Sequence, residues 1–343
     1  MTGAPPFLEV APFSFAAALL LTPLVRSLAR ATGYLDHPDE RKPHPHPTPL
    51  LGGVAVFGAM VIGPLLSAAL LRASPPISAP ALGVVLGASL SLLLGLVDDK
   101  RPMRPLGKLM GQLGAALCLV TWGGASGFMA NQPLLAAIAV VGVVALLNAV
   151  NFLDAMDGIV SAVAPITGLG FVALALVHGA RIDLPLAWAT VGAAAGFLVY
   201  NAPPARIFLG DAGSHLIGFV LAALTLQAID SSFTPPHVAA VVALVAYPLF
   251  DVIFVVTTRL IGGRAIHIGG VDHSTHRLSR ICGRWGTLGV IAGATLVGAG
   301  VGVWLWGVKS DTLAATVVAS LGLGYAIFGL WLGRSRLTRG FDT

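Results

Sequence analysis

The chain has 343 residues, of which 56% are hydrophobic and only 10% are charged. An ordinary soluble domain carries roughly 25% charged residues, so this composition excludes a water-soluble globule and indicates an integral membrane protein. The net charge of +5 would suit a nucleic-acid partner in a soluble chain. In a membrane chain, basic residues instead cluster in cytoplasmic loops, so we expect no nucleic-acid partner.

Apolar runs of about 20 residues, the length that crosses a bilayer, recur along the whole chain. They predict an all-α fold: a polytopic membrane helical bundle of about eleven transmembrane helices, with ten as the alternative, in a single integral membrane domain over 1–343. The first run has no basic residue before it and Arg26 and Arg30 at its far end, which places the N-terminus outside. The predicted spans are 8–28, 50–71, 79–97, 108–122, 133–150, 158–179, 185–201, 212–229, 237–258, 287–308 and 311–332.

Basic residues collect on one side of these spans. Seventeen of the twenty lysines and arginines follow odd-numbered spans or lie in the tail, whereas Arg72, Arg181 and Lys309 fall on the other side. By the positive-inside rule the crowded side is cytoplasmic, and most carboxylates lie there too. We therefore expect a multi-pass protein of the cell (inner or plasma) membrane with its active site on the cytoplasmic face. The predicted cytoplasmic loops lie near 29–49, 98–107, 151–157, 202–211 and 259–286.

The first cytoplasmic loop reads DHPDERKPHPHPTPLLGG, and its five prolines between Pro38 and Pro49 stiffen an extended segment. His44 and His46 in this loop could contact a ligand. Solvated loop histidines are the simpler explanation.

The third span ends in Asp98 and Asp99, and Lys108 follows at the start of the fourth. Neighbouring positions on a helix point about 100° apart, so the two carboxylates should serve different partners. Paired carboxylates at a membrane surface suit Mg²⁺ or proton transfer near a phosphate. The alternative is a solvated loop in which they balance Lys100 and Arg101.

The fifth span ends in NAVNFLDAMDG, in which Asn148, Asn151, Asp154 and Asp157 are each three residues apart. Such positions drift around a continuous helix and cannot form one straight stripe. We expect the helix to end near Asp154, with Gly158 permitting a turn that wraps these groups around a ligand. A self-capped helix end is the alternative.

The segment NAPPARIFLGDAGS joins the seventh and eighth spans. Pro203 and Pro204 stop one helix, and small residues around Asp211 let the backbone approach a ligand at the N-terminus of the next. Free N–H groups there suit a phosphate, and Asp211 could supply a metal oxygen. Asp211 could equally be an ordinary N-cap.

The last cytoplasmic loop contains GGVDHSTHRLSRICGR, with His273, His276 and Arg277. Imidazole and guanidinium groups together suit a multiply charged phosphate, although an ordinary basic loop is the alternative. Asp251, within the ninth span, is expected to pair with a basic group such as Arg259.

Five segments, taken in chain order, resemble the polyprenyl-phosphate N-acetylhexosamine-1-phosphate transferases, glycosyltransferase family 4. They are DHPDERKPHPHPTPLLGG, GLVDDKRPMRPLGKLMGQ, NAVNFLDAMDG, IFLGDAGSHLIGF and DHSTHRL. The resemblance runs from Asp36 through Leu278. The RK-x-H pattern at 41–44 and the eleventh span resemble the GlcNAc-1-phosphate transferase branch. His273 and His276 are separated, which departs from the three consecutive histidines of the muramoyl-pentapeptide transferases.

The resemblance implies transfer of N-acetylhexosamine 1-phosphate, with GlcNAc favoured, from a UDP-sugar to undecaprenyl or another polyprenyl phosphate. UMP is released, and the lipid product serves cell-wall or surface-glycan synthesis. Mg²⁺ is the implied cofactor, with Mn²⁺ as a substitute, and membrane lipid surrounds the chain. A phospho-N-acetylmuramoyl-pentapeptide transferase and, in another class, a secondary transporter are the alternatives. A homodimer is left open.

The resemblance also assigns roles to residues. Asp98, Asp99 and Lys108 look like the catalytic group. Asn151 and Asp211 resemble the Mg²⁺ ligands. The residues similar to those that bind the nucleotide sugar are Asn148, Asp154, Asp157, His273, His276 and Arg277, with His44 and His46 as loop contacts.

Overall fold

A computed structural model describes residues 7–38, 46–71, 79–123, 132–231, 233–265, 270 and 272–334. The predicted all-α class is confirmed, since this part of the chain contains twelve helices and one small sheet. His44 lies outside the described residues. The helices are α1 (Val10–Thr32), α2 (Gly52–Leu71), α3 (Ala79–Lys100), α4 (Pro105–Trp122), α5 (Pro133–Leu153), α6 (Ile159–His178), α7 (Leu184–Asn201), α8 (Gly210–Ser231), α9 (Pro235–Leu244), α10 (Ala246–Ile261), α11 (Ser274–Trp306) and α12 (Asp311–Arg334).

Every predicted span overlaps one of these helices or, for the ninth, a bent pair. Within the described ranges, nine helices are long and apolar enough to cross a membrane, and α9 with α10, bent by 74°, make a tenth if counted as one span. The remaining predicted span, 108–122, corresponds to α4, which begins with a polar half containing Lys108 and Gln112 and is not among these ten. The protein is therefore a polytopic helical membrane protein.

The last predicted cytoplasmic loop is partly helical. α11 begins at Ser274, well before the predicted span at 287–308, and is interrupted at Gly283, where φ is 71° and ψ is 174°. A search for apolar runs detects only the part beyond Gly283. The polar part before it is helical because a buried carboxylate, Asp251, accepts hydrogen bonds from the backbone N–H and the hydroxyl of Ser274.

α8 is the central helix of the bundle. It is buried along most of its length and packs against α2, α3 and α5. α1 packs against α2 and α7, and α6 joins α7 to α11. Strands β1 (Leu35–Asp36) and β2 (Thr48–Pro49) pair antiparallel just before α2. The N-terminus of α8 is thereby surrounded by the ends of α2, α3 and α5.

Glycines bring the backbones of α2, α3 and α8 into contact at this point. A Cβ atom on Gly95 of α3 would overlap the backbone of Asp211 and Ala212, and one on Gly53 of α2 would overlap Gly213. Only a residue without a side chain fits at these two helix crossings.

We expect Gly95→Ala to lower the free energy of unfolding by about 1–3 kcal/mol, because the added methyl group forces α3 away from α8. Gly142→Ala on α5 is the control, since nothing lies within 4 Å of a Cβ atom there. Circular dichroism, recorded while each variant in micelles is titrated with a denaturing detergent, would measure the unfolding midpoints of both. Identical midpoints for Gly95→Ala and the wild type would contradict the tight α3–α8 crossing.

Candidate active site

The predicted site residues that the structure describes lie at one end of the bundle. Here α3, α5, α7 and α10 end, and α4, α6, α8 and α11 begin. Side-chain hydrogen bonds link α4 and α5 to α8, α3 to α8, and α10 to α11. Segments far apart in the sequence therefore form one polar layer.

Lys108 is at the centre of this layer. Its Nζ lies 2.7 Å from Asp98 Oδ2, 3.0 Å from Asp211 Oδ2 and 3.3 Å from Asn151 Oδ1. The Asn151 amide donates to Asp211 Oδ1 at 2.8 Å and to Ser214 Oγ at 2.9 Å. The structure thus brings Asp98, Lys108, Asn151 and Asp211 into one cluster, which we call the Lys108 cluster.

The adjacent carboxylates Asp98 and Asp99 have different partners, as predicted. Asp98 Oδ1 accepts a hydrogen bond from the backbone N–H of Met103 at 2.6 Å. Asp99 accepts from the backbone N–H groups of Asp211 at 2.8 Å and Ala212 at 3.1 Å. These N–H groups at the start of α8 are therefore used by Asp99 and are not open to a phosphate, contrary to the sequence-based expectation. Asp99 caps α8 and positions Asp211.

The turn between α5 and α6 forms as predicted. α5 ends one residue before Asp154, and Gly158 has a φ of 79°, which a residue with a side chain rarely adopts. Asp157 Oδ2 accepts from the backbone N–H of Ala205 at 3.0 Å and lies 3.5 Å from a guanidinium nitrogen of Arg284. One oxygen of Asp157 is thus used to hold the loop before α8 in place.

Asp154 has no hydrogen-bond or ion-pair partner for its carboxyl group in the part of the chain that the structure describes. Burial raises the pKa of this carboxyl well above its usual value, and the nearby carboxylates of Asp211, Asp99 and Asp157 raise it further. Such a group gains its charge when a cation or a hydrogen-bond donor approaches. Asp154 is therefore the carboxyl group of the site that is most clearly available to a ligand.

His273 is oriented by a buried carboxylate. Its Nδ1 lies 3.0 Å from Oδ2 of Asp251, which is fully buried in α10 and whose Oδ1 accepts from the backbone N–H of Ser274 at 2.9 Å. The predicted pairing of Asp251 with Arg259 is wrong. Arg259 lies about two turns further along α10, beyond reach, and binds Asp272 at 3.0 Å.

Phe152 connects this region to the Lys108 cluster. Its ring centroid lies 6.0 Å from that of His273 and 5.9 Å from the guanidinium carbon of Arg259. His276 follows one turn later, with its ring centroid 5.8 Å from that of His273. Because Phe152 directly follows Asn151, these contacts place the start of α11 beside the end of α5.

Three predicted site residues are placed differently. Asn148 forms a reciprocal amide pair with Gln112, at 2.9 and 3.1 Å, which joins α5 to α4 inside the bundle. Arg277 is buried, with its guanidinium 5.5 Å from the ring centroid of Phe254. His46 is exposed at the start of the strand segment. The first two therefore hold helices together in this structure.

Sequence reasoning did not single out Ser214 or Asn201. Asn201 accepts from the Gly158 N–H at 3.1 Å and the Ser161 hydroxyl at 2.7 Å, which fixes the start of α6. Ser214 lies one helical turn after Asp211, and this spacing was the signal that could have revealed it.

The Lys108 cluster also fits a divalent cation. No group of three or more His, Cys, Asp or Glu side chains within the described ranges is close enough to hold a metal ion. Mg²⁺, however, commonly takes one or two carboxylates and completes its shell with water and substrate phosphates. Oxygens of Asp98, Asp211 and Asn151 already converge on one cation, the Lys108 ammonium. This donor set is of the type that Mg²⁺ prefers.

The chain is similar to known glycosyltransferases along most of its length. The family model described as "Glycosyl transferase family 4" matches residues 81–229. The "Probable undecaprenyl-phosphate N-acetylglucosaminyl 1-phosphate transferase" of Bacillus subtilis is 29% identical over 276 residues, 77% of this chain and 75% of its own. The decaprenyl-phosphate N-acetylglucosaminephosphotransferase of Mycobacterium tuberculosis is 31% identical over 313 residues, 80% of this chain and 77% of its own.

A muramoyl-branch relative matches a shorter stretch. The phospho-N-acetylmuramoyl-pentapeptide-transferase of Moorella thermoacetica is 32% identical over 250 residues, 66% of this chain and 74% of its own. Taken together with the family model, the extent of these matches shows that the chain belongs to glycosyl transferase family 4, in the branch of the polyprenyl-phosphate N-acetylglucosamine-1-phosphate transferases.

Proposed function

We propose that the protein transfers GlcNAc 1-phosphate from UDP-GlcNAc to undecaprenyl or another polyprenyl phosphate, giving a diphosphate-linked lipid and UMP. The observation that carries this proposal is the Lys108 cluster at the end of a membrane bundle. A lipid phosphate can reach this end from the bilayer, and a nucleotide sugar can reach it from water. The relatives named for GlcNAc 1-phosphate transfer cover more of the chain than the muramoyl relative.

The reaction joins two anions, so the site must supply positive charge and alignment. An oxygen of the lipid phosphate attacks the phosphorus that carries the sugar, and the bond from that phosphorus to the UMP oxygen breaks. Lys108, held at 2.7 Å by Asp98, contacts the lipid phosphate. Asp98 positions this phosphate and accepts its proton when it binds as the monoanion.

Asp211 and Asn151 would hold Mg²⁺, with Mn²⁺ as a substitute. The bound ion supplies charge neutralisation for the donor diphosphate. Asp99 fixes Asp211 through the first N–H groups of α8. Asp154, which has no partner within the described residues, faces the same carboxylates and is available to the donor or its cation.

Three further residues, Asp157, His273 and His276, bind the nucleotide sugar. Both contacts of Asp157 involve Oδ2, which leaves Oδ1 for the nucleoside. His273, whose ring lies beside that of Phe152, and the neighbouring His276 would bind the donor diphosphate. The excess of lysine and arginine on this side supports a cytoplasmic location of the site in the inner membrane. A homodimer stays a prediction.

The polar groups of the Lys108 cluster lie at one end of the bundle. A secondary transporter places its binding site near the bilayer midplane, where both sides can reach it. This difference favours the transferase over the transporter alternative.

Donor choice tests the proposed function directly. Purified protein, supplied with undecaprenyl phosphate and Mg²⁺, is offered UDP-GlcNAc and UDP-N-acetylmuramoyl-pentapeptide separately and then together. We expect radiolabel to enter extractable lipid from UDP-GlcNAc, with one UMP released per lipid formed. Transfer only from the muramoyl donor would reject the proposed substrate, and label uptake into liposomes without UMP release would favour a transporter.

We expect Asp251→Asn to lower kcat about 10- to 100-fold, because the amide cannot orient the His273 ring as the carboxylate does. Asparagine can still accept from the Ser274 N–H, so α11 keeps its cap. The melting temperature should stay close to that of the wild type, so that the loss of kcat reports on the site and not on folding. A wild-type kcat in the folded variant would show that Asp251 acts only in folding.

A further inference from the structure

Two cavities open at the end of the bundle opposite the Lys108 cluster. One, of about 640 Å³, is apolar and lies between α6 and α11, and the other, of about 610 Å³, is polar and lies where α6 and α11 end. Both have His178, Gly307 and Val308 in their walls. The two cavities therefore adjoin each other across these residues, and we call the pair, with its polar and its apolar half, the end groove.

The polar half of the end groove carries positive charge. Arg181 and Lys309 line it, both are exposed, and neither forms an ion pair or hydrogen bond with the described residues. They are two of the three basic residues that the sequence places on this side of the membrane. Asp311 offsets one of the two charges and leaves the polar half cationic.

The carbonyl groups at the end of α11 do not repel an anion bound here, because each already accepts a hydrogen bond. His178 Nε2 donates to the carbonyl of Val303 at 2.9 Å, and His237 Nε2 donates to that of Trp306 at 3.2 Å. The backbone N–H groups of Gly307 and Val308, the two residues that follow α11, donate to the carbonyls of Trp304 and Leu305. The carbonyl groups that normally make the C-terminal end of a helix negative are thus hydrogen-bonded before any ligand binds.

The apolar half of the end groove opens toward the membrane. Leu169, Leu296 and Trp304 line it and are exposed on the outside of the bundle. Gly300 also lines it, and nothing lies within 4 Å of the place where its Cβ atom would be. This half therefore has room for an acyl chain in direct continuity with the bilayer.

We propose that the end groove binds an anionic phospholipid, with its phosphate against Arg181 and Lys309 and one acyl chain between α6 and α11. Charge complementarity selects an anion, and the adjoining apolar half selects a lipid over a free phosphate. The site is separate from the Lys108 cluster, so the proposal does not depend on the catalytic assignment.

Native mass spectrometry of the full chain in detergent tests the headgroup contact. We expect phosphatidylglycerol to bind more tightly than phosphatidylcholine with the same acyl chains. The double variant Arg181→Gln/Lys309→Gln should weaken the first phosphatidylglycerol site about 30-fold, since each basic residue near a membrane surface contributes roughly a factor of five. Arg101→Gln/Arg334→Gln removes the same charge at the opposite end and should bind like the wild type.

A second pair of variants tests the acyl-chain contact. Gly300→Leu fills the apolar half and should weaken binding of both lipids, whereas Gly293→Leu, on the same helix and equally open but outside the cavity walls, should not. Unchanged phosphatidylglycerol affinity in the double-charge variant would overturn the proposal. Unchanged affinity in Gly300→Leu, or displacement of the lipid by equimolar inorganic phosphate, would also overturn it, because either would show a headgroup or free-ion site without a lipid groove.

Discussion

Asp211→Ala is expected to reduce lipid-linked sugar formation by about 10³-fold or more, to the limit of detection. One oxygen of Asp211 accepts from Asn151 and the other from Lys108, so its loss removes the proposed metal carboxylate and one hydrogen bond from each of these two partners. Radiolabel transfer from UDP-GlcNAc into extractable lipid measures the effect. Asp211→Asn keeps the shape without the charge and should also lose most activity.

The control for Asp211 is another carboxylate at a helix N-terminus. Asp183 caps α7 by accepting from the Leu186 N–H at 3.0 Å, at the opposite end of the bundle. Asp183→Asn preserves a capping side chain and should keep wild-type activity. Both variants should remain in the membrane fraction and unfold cooperatively. Full transfer by folded Asp211→Ala protein would refute the metal assignment.

Lys108→Met is expected to lower kcat about 10²- to 10³-fold, because the site loses its central cation. The same change should also lower the Mg²⁺ concentration that gives half-maximal activity. The Lys108 ammonium occupies Asp211 Oδ2 and Asn151 Oδ1, which are the oxygens proposed for the metal. Lysine and Mg²⁺ therefore compete for them, and a neutral side chain removes the competitor. Titration of residual activity with Mg²⁺ gives the measurement.

Lys100→Met is the matched control for the loss of one lysine. Lys100 Nζ donates to the carbonyls of Thr32 and Gly33, at 3.2 and 3.4 Å, and lies over the Tyr34 ring, away from the Lys108 cluster. The Mg²⁺ requirement of Lys100→Met should therefore equal that of the wild type. A higher Mg²⁺ requirement in Lys108→Met would mean that Lys108 supports the metal instead of competing with it.

Local sequence patterns predicted the helices and the members of the Lys108 cluster for a simple physical reason. Apolar runs must cross the bilayer as helices, and carboxylates such as Asp98 and Asp211 are tolerated only at their wet ends. Because successive spans cross the membrane in alternating directions, the C-terminal ends of α3 and α5 and the N-terminal end of α8 had to lie on the same side of the membrane. The turn at Gly158 followed from the same reasoning.

The partners of individual side chains depended on how helices are rotated and shifted against one another. Asp99 faces the N-terminus of α8 because Gly95 and Ala212 bring the two helices into contact, and no local pattern contains that contact. Asp251 and His273 meet because α10 is bent away from α9 and the polar start of α11 folds back over it. Sequence spacing alone favoured Arg259 instead, which was wrong.

The most direct test of the central claim, that Asn151, Asp154 and Asp211 share one metal-dependent diphosphate pocket, is electron paramagnetic resonance of Mn²⁺ bound together with UDP. We predict one Mn²⁺ per chain, with phosphorus hyperfine coupling from the nucleotide that disappears in Asp211→Ala and weakens in Asp154→Asn. Transfer at the full rate in excess chelator, or a Mn²⁺–phosphorus coupling that survives in both variants, would contradict the account.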